Sequence, residues 1–169
     1  MNISIREQIR FFCLTVLVVG VNVCIDRITK YYAVHLLKGH PPIVLLKGLI
    51  RLEYAENSGA FLSLGAQWNT VIKYGILLVI PIGLCIFGFI YLIFKEKRLK
   101  YIIIIGTIVG GGIGNLIDRL WNNFYVIDFL NFGIGTLRTG ILNIADISVT
   151  FGAVAFLIFC QEKKHNRRT

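Results

Sequence analysis

Three histidines and four cysteines are the only imidazole and thiol side chains in a chain of 169 residues, and none falls into a ligand spacing. His35, His40 and His165 lie outside any H-E-x-x-H, which disfavours a zinc protease. Cys13, Cys24, Cys85 and Cys160 form no CxxC pair. Cys13 and Cys24 share a helix face, but eleven residues of helix separate them by about 16 Å, too far for a disulfide. All four cysteines read as small buried hydrophobes inside apolar runs. No serine has a histidine nearby in sequence, so a serine triad is unsupported. The glycine-rich "GGIGNLI" has neither the lysine of a phosphate loop nor the third glycine of a dinucleotide loop. Internal repeats and low-complexity linkers are also missing, so residues 1–169 read as one domain.

What the chain has is hydrocarbon: 56% hydrophobic residues and a mean hydropathy of +0.71. Soluble domains run near 45–50% apolar. Four runs approach the roughly twenty residues that cross a bilayer core, at about residues 11–32, 73–94, 101–120 and 143–161. The first follows Arg6 and Arg10 in the manner of a signal peptide, but Asn22-Val23 before Cys24 offers no small-x-small cleavage site, and the run is expected to be retained. The expected fold is an all-α membrane protein of four transmembrane helices with a small extracytoplasmic β-sheet segment at about residues 41–64. In that segment Pro41-Pro42 stop the first helix. Lys47-Gly48 suggests a turn, and Ile50, Leu52 and Tyr54 alternate with Arg51 and Glu53. The second long connection, 121–140, reads as loop.

The net charge of +9 is placed, not spread. Arg6 and Arg10 precede the first run; Lys95, Lys97, Arg98 and Lys100 fill the turn between the second and third; Lys163, Lys164, Arg167 and Arg168 close the chain. An even number of spans puts all three groups on one side, and positive charge near span ends marks the cytoplasm. Both termini are therefore expected inside, and no nucleic-acid partner is expected.

Ionisable groups within apolar runs suggest function by default. Asp26 and Lys30, four apart on one helix face, either pair structurally or serve a site. Gly106, Gly110 and Gly114 form a small-xxx-small stripe for close helix packing, which leaves Asn115, Asp118 and Arg119 unexplained. Asp128 sits between apolar neighbours in "YVIDFLNF". Asp146 in "LNIADIS" suits the N3 position of a helix capped by Asn143, so capping competes with catalysis there. On these residues alone a non-enzymatic four-helix scaffold or transporter subunit competes with a carboxylate-dependent hydrolase.

Five stretches in order, "DRITK" (26–30), "ENSGAFLSLG" (56–65), "GGIGNLIDRL" (111–120), "VIDF" (126–129) and "NIADIS" (143–148), resemble the lipoprotein signal peptidases (signal peptidase II) of bacteria over nearly the whole chain. The resemblance implies an aspartyl endopeptidase of the bacterial cytoplasmic (inner) membrane. Such an enzyme removes the signal peptide from diacylglyceryl-modified prolipoproteins just before the lipidated cysteine. It implies Asp128 and Asp146 as the catalytic pair, with Asp26, Lys30, Asn57, Asn115, Arg119 and Asn143 binding substrate or supporting the site. Asp118 would hold the outer end of the third span. No metal or other cofactor is implied; the partners are lipid-modified prolipoproteins and membrane lipid, the protein acting as a monomer with its active site at the outer face. Three departures stand out: Arg27 where a neutral polar residue is common, Leu142 in place of phenylalanine, and "RTGI" without its proline. They leave the expected ionisable set intact and bear on the substrate groove.

Overall fold

In the computed structural model, residues 4–60 and 64–165 are described, with side chains up to residue 160. Residues 61–63 of the expected outer segment, Ser63 among them, and the basic side chains that close the chain lie outside the described residues.

Helix α1 runs Ile5–Leu37. Ser4 and Glu7 start it with a reciprocal capping box, the Ser4 hydroxyl accepting from the Glu7 amide at 3.3 Å and Glu7 accepting from the Ser4 amide at 3.1 Å. Helix α2, Thr70–Phe94, carries a π turn over Gly75–Val79. Pro81 stands two residues beyond it. It offers no amide to the carbonyl four residues back and its ring crowds that carbonyl, so a widened turn there relieves the helix. Helix α3 is Leu99–Trp121 and α4 is Ile144–His165. Three of these, α1, α2 and α3, are long and apolar enough to cross a membrane; the apolar part of α4, Ile144–Cys160, is shorter. At 1.5 Å per residue the 22-residue α4 is still about 33 Å long.

Helix α3 is the centre of the bundle, and glycines let it be. A Cβ on Gly106 would lie 2.9 Å from Val18, on Gly110 2.6 Å from Asn22, and on Gly114 2.6 Å from the Asp26 carboxylate. The partners advance by four as the glycines do, so α1 and α3 run parallel in close contact. On other faces of α3, Gly111 meets the Ala145 carbonyl and Ile108 meets Gly152, while Gly112 meets Cys85 and Val109 meets Gly88. Those pairs run in opposite senses, so α2 and α4 are antiparallel to α3.

At one end of the bundle sits a four-stranded antiparallel sheet in the order β1-β2-β3-β4. Its strands are β1 Ile43–Leu45, β2 Ile50–Asn57, β3 Val126–Ile134 and β4 Leu137–Leu142. A 3₁₀ turn over Leu46–Gly48 joins the first two. The 121–140 connection is thus not the loop expected from sequence. It forms most of a hairpin whose two-residue turn, Gly135-Thr136, uses φ +58 at Gly135. Arg138 staples that hairpin to the other through its Nη1, which donates to the Gly48 carbonyl at 2.8 Å, and braces its own hairpin through its Nε, which donates to Asn131.

The cysteines also need correcting. Cys13, Cys24 and Cys160 are exposed and Cys85 is half-buried, all four with free thiols. In a bundle whose outer surface is itself apolar, hydrophobic surroundings in sequence do not mark burial.

Candidate active site

The sheet hangs over the end of α3 because the chain reverses there within four residues. Asn122 ends the helix, its amide donating to the Asp118 carbonyl at 2.7 Å, and the Phe124 amide donates back to Arg119 at 3.2 Å. Asn123 and Phe124 both take left-handed φ values of 49° and 72°. For a bulky residue this costs about 1–2 kcal/mol. It is held by burial of the Phe124 ring, which stacks on Tyr74 with centroids 4.3 Å apart. The turn launches β3 back across the bundle, with Asp128 opposite Ala55 of β2.

Asp128 is 2% exposed. One carboxylate oxygen accepts from the Asn143 amide at 2.6 Å, the other from the Asn57 amide at 3.0 Å. Asn57 is itself fixed by an Asx turn, its oxygen accepting from the Gly59 amide at 2.9 Å. Burial, and after it the charge of Asp146, push the Asp128 carboxyl up to about 6 against the hydrogen bonds from Asn57 and Asn143.

Asp146 lies in the first turn of α4, and the capping expected of it is present. It caps: its amide donates to Asn143 Oδ1 at 2.9 Å and its carboxylate accepts from the Asn143 amide at 3.2 Å. It also faces a cleft, where its other oxygen accepts from the Asn115 side chain at 2.8 Å. That cleft, about 450 Å³, is lined by Asp128 and Asp146 together with Asn57, Asn115 and Arg119. Leu77, Pro81, Leu116 and Val149 supply its apolar wall. Arg119 donates to the Gly59 carbonyl at 2.8 Å, pinning the Asn57–Gly59 turn to α3.

Beneath the cleft is a buried ion cluster. Lys30 lies 3.0 Å from Asp26 and 2.8 Å from Asp118, and Arg27 is 2.7 Å from each of the same two carboxylates. Two cations offset two anions, the condition under which buried charge is tolerated. The cluster orients what surrounds it. Asp26 accepts from the Ala145 amide at 3.1 Å at the start of α4, and Asp118 from the Ile127 amide at 3.1 Å at the start of β3. Lys30 donates to Asn115 Oδ1 at 3.0 Å, leaving the amide hydrogens of Asn115 for Asp146.

The residues singled out from sequence therefore converge in two layers. Asn57, Asn115, Arg119, Asp128 and Asp146 line the cleft, with Asn143 between the two aspartates; Asp26, Lys30 and Asp118 lie below. The Asp26–Lys30 pair is present but belongs to a quartet. Sequence reasoning missed Arg27, treated as a departure outside the ionisable set; its place one residue after Asp26 hid it, because neighbours in a helix point apart while a long guanidinium can still fold back. It also missed Gly59 and Phe124, whose roles depend on backbone conformation. Among the described residues, no three His, Cys, Asp or Glu side chains converge in a way that could hold a metal ion.

The chain has relatives among known proteins. The signal peptidase (SPase) II family profile matches residues 18–161. The chain is 33% identical over 150 residues to a lipoprotein signal peptidase of Borrelia hermsii (strain HS1 / DAH), covering 86% of this chain and 88% of that one. It is 32% identical over 164 residues to a lipoprotein signal peptidase of Chlorobium phaeobacteroides (strain BS1), covering 90% and 95%. A solved bacterial membrane enzyme superposes with a TM-score of 0.77 at 25% identity over 90% of each chain. With the family profile spanning most of its length and relatives above 30% identity along nearly all of it, the chain belongs to the signal peptidase II family.

Proposed function

We propose that the protein is a membrane aspartyl endopeptidase that removes the signal peptide from diacylglyceryl-modified prolipoproteins, cutting just before the lipidated cysteine. The observation that carries this reading is Asn143, which bonds both aspartates at the wall of a cleft large enough for a peptide segment. Family membership supports a protease acting on lipoproteins, since the relatives are lipoprotein signal peptidases.

Two carboxylates facing one cleft share a proton and titrate as a pair. In the forward step the ionised member takes a proton from water, whose oxygen bonds to the scissile carbonyl carbon. The protonated member gives its hydrogen to the carbonyl oxygen. Collapse of the tetrahedral intermediate breaks the carbon–nitrogen bond, and a carboxyl proton goes to the leaving amine. Asn57, Asn115 and Asn143 hold the two carboxylates; Arg119 and the turn it pins are placed to meet substrate backbone. The apolar wall suits a lipidated residue presented from the bilayer.

In this reading a single domain acts as a monomer in the bacterial inner membrane, with both termini and residues 95–100 on the cytoplasmic side. The sheet and cleft lie at the outer face. The test is purified protein with two precursors, one carrying diacylglycerol on the cysteine and one bare. A shortened product from the first alone supports the reading; equal cutting of both, or of neither, refutes it.

A further inference from the structure

The cleft with the aspartates occupies only one half of the space between α2 and α4. At the other end of the bundle, near the turn joining α2 to α3, a second groove of about 450 Å³ opens along α3. Phe87 and Gly88 of α2, Ile105 and Ile108 of α3, and Phe156 and Cys160 of α4 line it. Glycines let both flanking helices sit close on the floor: a Cβ on Gly88 would meet Val109 at 2.8 Å and one on Gly152 would meet Ile108 at 2.6 Å. The groove is apolar along its length and polar at its mouth, where Glu96, Arg98, Tyr91 and Tyr101 lie.

The mouth is built. Glu96, 2% exposed, accepts from the Lys97 and Arg98 amides at 3.0 and 2.9 Å. It also binds Arg98 Nε at 2.8 Å and Nη2 at 2.6 Å, while Tyr91 donates to it at 3.2 Å. This fixes the turn and holds the Arg98 guanidinium 4.1 Å from the Tyr101 ring centre. Lys100 lies next to the mouth, just outside the groove's lining, its ammonium 4.7 Å from the Phe159 ring centre and 5.4 Å from that of Tyr101. Glu96 is thus matched by Arg98 and Lys100 adds a further cation beside them, while Lys97 turns away to donate to the Ile93 carbonyl at 2.9 Å. The balance is positive.

We propose that this groove binds an anionic phospholipid, one acyl chain lying on α3 between α2 and α4 and the phosphate at Lys100 and Arg98. A groove of this volume is in the range of ligand sites, and an apolar trough ending in cations at a span end matches a lipid with a negative headgroup. The competing occupant of such a trough, the apolar segment of a signal peptide, carries a positive n-region, which this mouth repels. Each cation near an anionic headgroup is worth about a five-fold preference. The inference does not depend on the proteolytic reading.

Both natural tryptophans, Trp68 and Trp121, lie away from this groove, so a tryptophan placed in it is a local reporter. The full chain carrying Ile105→Trp, and separately Phe156→Trp in case one replacement disturbs the bundle, would be reconstituted in phosphatidylcholine vesicles. Phosphatidylglycerol or phosphatidylcholine brominated on its acyl chains would then be added. The expected result is quenching of the new tryptophan with an about five-fold or greater preference for phosphatidylglycerol, falling to parity in Lys100→Glu. Equal quenching by the two lipids would overturn the proposal, as would a preference that survives Lys100→Glu. Displacement of the brominated lipid by a synthetic signal peptide would overturn it too, in favour of the peptide.

Discussion

Asn143 donates its side-chain amide to Asp128 at 2.6 Å, and the oxygen of the same carboxamide accepts the backbone amide of Asp146 at 2.9 Å. One residue thus couples a strand carboxylate to a helix cap. Asp146 does not have to be either a cap or a reactive group; the cap is how it is held.

Replacement by asparagine separates the two roles. At N3 an asparagine oxygen can still accept the Asn143 backbone amide as the Asp146 carboxylate does, so Asp146→Asn is expected to leave the helix start intact, yet an amide cannot relay a proton. Asp128→Asn and Asp146→Asn should each lower cleavage of a lipidated precursor by at least about 10²-fold, with far-UV circular dichroism and membrane insertion unchanged. Turnover in Asp146→Asn within a few-fold of the parent would return that residue to capping alone.

The elevated Asp128 carboxyl predicts a pH term in stability. Its folded value is about 6 against an ordinary 3.8, so the folded state binds this proton more tightly than the unfolded chain does. The resulting stabilisation is fully present below the ordinary value and is lost as pH rises through about 6. Raising the carboxyl from 3.8 to about 6 corresponds to roughly 3 kcal/mol at most. Apparent Tm in detergent should fall between pH 4 and pH 7 in the parent and fall less in Asp128→Asn. Identical slopes would show that Asp128 carries no such term.

Much of this was legible in the sequence, for identifiable reasons. Apolar runs of bilayer length, basic residues at their ends and a glycine stripe of period four are local patterns, and α1 to α4 follow them. The four carboxylates that matter were legible because charge in apolar surroundings is conspicuous. The β3–β4 hairpin was hidden by Gly133, Gly135 and Gly140, which read as loop although Gly135-Thr136 is a hairpin signal. Of the lower ion layer only the Asp26–Lys30 pair was legible, because the pairing of Arg27 with Asp118 spans 91 positions and the parallel packing of α1 on α3 alone brings them together.

Cleavage should survive a chelator. No three His, Cys, Asp or Glu side chains converge among the described residues, and the Asp128 and Asp146 carboxylates accept from amides of Asn57, Asn115 and Asn143. Activity abolished by EDTA and restored by zinc would contradict the two-carboxylate mechanism.

The ion quartet predicts a compensation. Asp118→Asn alone leaves Arg27 and Lys30 facing one carboxylate, and removing one partner of a buried pair costs about 3–5 kcal/mol. This variant should therefore unfold more readily while its folded fraction retains turnover. Arg27→Gln should cost less, because its side chain is 30% exposed and the charge is partly screened. The double variant restores one cation to one anion. Its stability loss should be smaller than the sum of the two, a coupling that a double-mutant cycle in detergent unfolding measures. Additive losses would mean that the two groups do not sense each other.

Glycine substitutions test the packing that brings the aspartates together. Gly110 and Gly114 face α1 so closely that even a methyl group would sit 2.6 Å from Asn22 or from the Asp26 carboxylate, well inside ordinary contact. Neither neighbour can yield cheaply: a Cβ on Gly110 would also lie 3.0 Å from the Val19 carbonyl, and Asp26 is fixed by Arg27, Lys30 and the Ala145 amide. Gly20 is the control, since a Cβ there meets nothing within 4 Å. Overpacking a close interface costs about 1–3 kcal/mol or more. Gly110→Leu and Gly114→Leu are expected to lower both apparent Tm and cleavage, and Gly20→Leu to change neither. The two glycines should also differ from each other. Gly114→Ala presses on the ion quartet that orients Asn115, so it should reduce kcat beyond its effect on stability; Gly110→Ala, one turn further from the cleft, should lose stability with kcat largely preserved in the folded fraction. Equal kcat losses in the two alanine variants would detach the Asp26 cluster from the alignment of Asp146.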